Sequence, residues 1–143
     1  MRDLEHTYPL IRKLQPDIMI NERLDLGGSG WNAGSIGPWA DFHTPEQIIG
    51  GFDLRPWESC MTVSAHNQWA WGGHNDGVKS FEQCLDMLIR CAGANGNMLL
   101  NIGPMPTGEI VPEQVEVLRK VGLWLKQNGK EIGRASCRER VSY

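Results

Sequence analysis

Ser80-Phe81-Glu82-Gln83-Cys84-Leu85-Asp86-Met87-Leu88-Ile89-Arg90-Cys91-Ala92-Gly93, followed three residues later by Asn97-Met98-Leu99-Leu100-Asn101-Ile102-Gly103-Pro104, is the stretch on which the fold turns. A Ser80 hydroxyl three residues before Gln83 makes a capping box, in which two reciprocal bonds satisfy free N–H groups at a helix start. Phe81, Cys84, Leu85, Leu88, Ile89 and Ala92 then recur at the helical period, so the spacing predicts a helix buried on that face. Gly93 and Gly96 are expected to end it. Asn97 to Ile102 reads as a buried strand, closed by the stiff turn Gly103-Pro104-Met105-Pro106.

Working outward, Pro112 suits the first turn of another helix, with Val115, Leu118, Gly122 and Leu125 along one face and Asn128-Gly129 as its stop. Upstream, Trp57 to Val63 has strand composition, and glycine-rich Leu26 to Gly37 reads as a loop. Ile18 to Asn21 reads as a short parallel strand, after a helix over Leu4 to Leu14 that Pro16 breaks. Strand and helix alternate, which implies an α/β fold with parallel strands, either a doubly wound sheet or a (β/α)8 barrel. A barrel needs eight strands and about 250 residues, so the units here amount to a part of one.

Composition narrows the function classes. The chain has 143 residues, a formal charge of -3 and 41% hydrophobic residues, all ordinary for a globular domain. Its basic residues are scattered until the last ten positions, which argues against nucleic acid or an anionic membrane as partner. No apolar run approaches a membrane span, and the start Met1-Arg2-Asp3 lacks the order of a signal peptide, so Met1 reads equally well as an internal methionine. Glu131 to Val141 resembles the conceptual translation of a sequencing adapter. The chain therefore divides into residues 1–130, the globular part, and 131–143, a non-native tail. Cys84 and Cys91 lie about 10 Å apart along a helix, beyond disulfide reach, and no cysteine pair has metal-ligand spacing. His43, His66 and His74 lack helical spacing, so neither a metal nor another cofactor is expected.

Five of the six tryptophans fall between Trp31 and Trp71, in a stretch rich in Gly and Pro that also carries Glu46 and Glu58. Indoles offer flat apolar faces, and paired carboxyl groups are what sugar hydrolysis requires. For Trp31 and Trp39, packing within the loop is the simpler expectation. Asn97 and Asn101 are expected to satisfy backbone groups.

The chain resembles the α-L-fucosidases, a family of retaining glycoside hydrolases. The resemblance rests on Gln15-Pro16-Asp17-Ile18-Met19-Ile20-Asn21-Glu22-Arg23, Asp41 to Glu46, Trp57-Glu58, Trp71-Gly72, Asn97 to Pro104, and Gly122-Leu123-Trp124-Leu125 with Asn128-Gly129. It implies the later strands of a partial (β/α)8 catalytic barrel acting on terminal α-L-fucose of fucosylated glycans, in a secreted, periplasmic or lysosomal protein. It also implies that the nucleophilic aspartate comes from a strand before Met1, leaving this piece inactive alone. Glu46 and Glu58 both match glutamates that family members use as acid/base. Glu58 is favoured here, because desolvation beside an indole favours a carboxyl's protonated form. Arg23 is implied as a donor to sugar hydroxyls, with a structural ion pair as the alternative, and Trp71 as the contact to the fucose methyl. Trp57 would wall the same pocket and His43 would bond a hydroxyl. The reading from another class is a fucose-binding module without catalysis.

Overall fold

The capping box forms as the sequence suggests: Gln83 N–H donates to Ser80 Oγ at 3.2 Å, and Ser80 N–H donates to Gln83 Oε1 at 2.8 Å. It opens a helix over Phe81–Gly93, whose chain then turns at Asn95, a left-handed residue of φ 61°, directly into a strand. Gly96 therefore does not end the helix but begins that strand. The computed structural model describes residues 4–24 and 40–138. Within them the elements run α1 (Leu4–Leu14), β1 (Trp57–Thr62), α2 (Phe81–Gly93), β2 (Gly96–Asn101) and α3 (Pro112–Arg138). The glycine-rich loop over Leu26 to Gly37, with Trp31 and Trp39, lies outside the described residues.

The protein is an α/β structure in which β1 and β2 pair in parallel, Trp57 opposite Gly96 through Thr62 opposite Asn101. Two further segments continue the row without completing strands. Single parallel bridges join His43 to Trp57 and Glu46 to Cys60, so residues 43–46 run beside β1. Another joins Asn21 to Phe42. The parallel strand expected over Ile18 to Asn21 is thus reduced to one bridge, and Met19 is 60% exposed. Four parallel segments lie side by side in the order 20–21, 41–46, β1, β2.

Alternate residues of a strand point to opposite faces, and helices cover one face here. Met61, Val63, Cys84, Met87 and Val121 form the buried cluster, flanked by Met98, Leu100, Ile102, Leu88 and Val117. Each fully buried side chain of this kind stabilises the fold by about 1.5–3 kcal/mol. The buried stripe of α2 runs through Cys84, Met87 and Cys91, and Ile89, expected inside, is exposed. In α3 Gln114 and Val121 are the buried positions; Val115 and Leu118 are half-buried, and Gly122 and Leu125, expected inside, are exposed. The 3.6-residue period locates a stripe, but the neighbouring elements set its centre.

Nor does Asn128-Gly129 stop α3. The Asn128 amide donates to the Trp124 carbonyl one turn back, at 2.9 Å, and the helix continues to Arg138. A helical glycine costs about 1 kcal/mol relative to alanine, which a long helix tolerates. Strand β2 is also not buried on both faces: Leu99, on the side away from the helices, is 50% exposed. Among the described residues no helix is long and apolar enough to cross a membrane, and no group of three His, Cys, Asp or Glu side chains is poised to hold a metal.

Candidate active site

The face of the strands turned away from the helices is polar. Glu58, Cys60 and Thr62 stand on it from β1, with Asn97, Leu99 and Asn101 beside them from β2. The bridge of Glu46 to Cys60 brings the 43–46 segment into the same register. Burial raises the pKa of the Cys60 thiol; Glu46 and Glu58 push it further up, and Arg23 pulls it down. Both candidate carboxylates and the candidate arginine therefore act electrostatically on one thiol.

Their heights along the strands differ. Glu58 is the second residue of β1 and sits at its start, where the Asn97 amide donates to Glu58 Oε2 at 2.6 Å. Asn97 thus serves a side chain, whereas the Asn101 amide donates to the Trp69 carbonyl as expected of it. Glu46 ends its segment. The next residue, Gln47, has φ 55°, donates its N–H to the Cys60 carbonyl at 2.9 Å, and turns the chain away. Glu46 keeps 40% of its side chain exposed and is paired with Arg23 Nη1 at 2.5 Å.

Arg23 lies in a single 3-10 turn, Glu22–Leu24, at the end of the neighbouring segment. Its Nε donates to Thr44 Oγ1 at 2.7 Å and its Nη2 to the Thr44 carbonyl at 2.9 Å. The same threonine is held from behind, since its N–H and hydroxyl both donate to Glu22 Oε1, at 2.6 and 3.0 Å. Glu22 and Thr44 were not singled out in the sequence. The signal that could have found them is their position inside the Asn21-Glu22-Arg23 and Asp41-to-Glu46 runs. Behind this cluster Asp41 Oδ2 accepts from the Ile20 N–H at 2.7 Å and from Arg12 Nη2 at 2.6 Å. Burial works to raise the pKa of the Asp41 carboxyl, but these bonds outweigh it and hold the value below the ordinary one.

The tryptophans take different places. Trp57 is 2% exposed, donates its indole N–H to the Ala94 carbonyl at 3.0 Å, and covers Gly96 so closely that a Cβ there would lie 2.3 Å from the ring. It belongs to the helix-facing side, opposite Glu58, and His43 shares its register. Trp71 is half-buried and meets His74 edge-on, with centroids 5.4 Å apart, and its indole N–H has no hydrogen-bond partner among the described residues. A cavity of about 690 Å³ opens between its loop and the start of α3, lined by Trp71, His74, Lys79, Phe81, Gln114 and Lys120 among others. Arg23, Glu46 and Glu58 do not line it. That loop is pinned over the end of β2, because a Cβ at Gly103 would meet the backbone of Ala70 and Trp71 at 2.8 Å. Lys79, whose ammonium bonds the Thr62 and Ser64 carbonyls, holds its two ends together.

Residues 2–130 match the family model described as alpha-L-fucosidase. The human plasma alpha-L-fucosidase is 35% identical over 108 residues, which cover 71% of this chain and 22% of the human protein. Among solved structures, alpha-L-fucosidase isoenzyme 1 from Paenibacillus thiaminolyticus superposes with a TM-score of 0.72 at 36% identity, covering 87% of this chain and 30% of that one. The Thermotoga maritima alpha-fucosidase in complex with fucose gives 0.71 at 26% identity, covering 91% of this chain and 26% of that one. The chain thus spans less than a third of the length of these relatives.

Proposed function

The chain belongs to the alpha-L-fucosidase family, and from that premise we propose that it forms part of a retaining α-L-fucosidase, with Glu46 as the acid/base. Four adjacent parallel segments backed by α2 and α3 support reading the piece as part of a (β/α)8 barrel. Residues 1–130 would be that part and 131–143 an appended tail, a division supported by the family match ending at residue 130. The Thermotoga relative is a complex with fucose, which supports terminal α-L-fucose of a glycan as the substrate. The curated relatives matched are named as alpha-L-fucosidases, which supports setting the non-catalytic module aside.

The observation that carries the choice of Glu46 is its height. Barrel enzymes build their sites at the C-terminal ends of strands, and residues at the opposite end serve stability. Glu46 and Arg23 both stand at segment ends, while Glu58 stands at the start of β1, bonded to Asn97. This reverses the preference drawn from the sequence, where proximity to Trp57 favoured Glu58; the indole in fact lies on the other face.

Glu46 in its protonated form would donate to the leaving oxygen while a carboxylate from an earlier strand of the longer protein attacks the anomeric carbon. The resulting glycosyl-enzyme would be hydrolysed by a water whose proton returns to Glu46. The two carboxyl groups would then stand about 5–5.5 Å apart. Arg23 would orient Glu46, and Trp71 would meet the sugar methyl. Trp57 and His43 would support the pocket from behind. The test is release of nitrophenol from an aryl α-L-fucoside by the full-length protein, with Glu46→Ala and Glu58→Ala assayed with added azide. Rescue to a glycosyl azide in Glu46→Ala alone is the expected result; rescue in Glu58→Ala alone would transfer the role.

A further inference from the structure

We propose that Glu22 is a positioning residue for the proton donor, acting on Glu46 through Thr44 and Arg23; this rests on the reading of Glu46 as the acid/base. Glu22 is 3% exposed, an unusual place for a carboxylate. Its Oε1 takes both donors of Thr44, and its buried Oε2 has no hydrogen-bond partner among the described residues. A threonine hydroxyl has one proton to give. Because Glu22 takes it, the Thr44 oxygen presents a lone pair to Arg23 Nε. The Thr44 carbonyl takes Arg23 Nη2, so two corners of the planar guanidinium are fixed and the third points at Glu46.

Without an acceptor at position 22, the Thr44 N–H would be left buried and unpaired, and the hydroxyl would be free to turn its proton toward Arg23. The guanidinium would then lose its fixed seat, and with it the carboxyl that must meet the leaving oxygen. Displacement of about 1 Å at a reacting group costs on the order of 10²-fold in rate. The loss falls on proton donation and leaves the attack on the anomeric carbon in place, which separates a positioning role from a purely structural one.

The experiment compares 4-nitrophenyl α-L-fucoside, whose phenolate departs without a proton, with methyl α-L-fucoside, whose alkoxide needs one. In the full-length protein, Glu46→Ala should lose on the order of 10²–10⁴-fold more in kcat/KM on the methyl than on the nitrophenyl substrate. Glu22→Met, which has no oxygen to accept from Thr44, and Thr44→Val should each show the same split at about tenfold or more. If Glu46→Ala shows no split, the assignment of the acid fails. If it does, and Glu22→Met and Thr44→Val lose equally on both substrates, Glu22 is merely structural and the proposal is overturned. Should Glu22→Met not fold, Thr44→Val reads the same ratio.

Discussion

The two faces of β1 are built by opposite rules. Toward the helices, Trp57, Ser59, Met61 and Val63 are all buried, and even the polar Ser59 is fully satisfied by donating to the Ile48 carbonyl at 2.6 Å. Toward the other side, Glu58, Cys60 and, on β2, Leu99 keep access to solvent, and charged side chains act electrostatically on a thiol. One face is held by burial of apolar area, the other by paired charges whose energy depends on geometry. The lesson is that stability and chemistry divide between faces of the same strand, one residue apart.

The largest effect should come from leaving the polar face uncovered. The isolated 143-residue chain exposes Leu99 on that face, with Met19, Leu54 and Leu123 exposed elsewhere, and parallel strands without neighbours invite association. It should bind a hydrophobic dye and unfold in urea with a shallow transition. A sharp cooperative transition would mean the polar face needs no cover.

The next test is the alternation itself, in the full-length protein. Met61→Ala should lower the unfolding free energy by about 3 kcal/mol, whereas Cys60→Ala, one residue along, should change it by less than about 1 kcal/mol. Equal costs in urea titrations would erase the distinction between faces. Somewhat smaller, Gly96→Ala drives a methyl into the Trp57 ring and should cost about 2 kcal/mol. Trp57→Phe in the same protein should recover part of it if the indole is the obstacle.

The smallest effect belongs to the polar side. Asp41 has a folded-state pKa below its ordinary value, so its contribution is present above the unfolded pKa of about 3.9 and disappears as pH falls through the lowered one. Asp41→Asn should therefore cost about 1 kcal/mol at neutral pH. The melting curves of variant and parent should converge in acid, once the pH has fallen below the lowered pKa of Asp41. A deficit that persists there would show that Asp41 acts through packing and not through its charge.

What the sequence determined by itself was local or periodic: the capping box at Ser80, the parallel alternation, the helix over Leu4–Leu14 and the runs that contain Arg23 and Glu46. Such features need only a few neighbours along the chain. Only tertiary structure decided which stripe of α2 is buried, that α3 runs past Asn128-Gly129, and that Trp57 faces the helices while Glu58 faces away. It also decided that Glu46 stands at a segment end beside Arg23, with Glu22 behind Thr44. The reason is that strand alternation defines two faces but neither which one is covered nor how high a residue stands. Both follow from register against segments tens of residues away, and a one-residue slip would exchange every side chain between them.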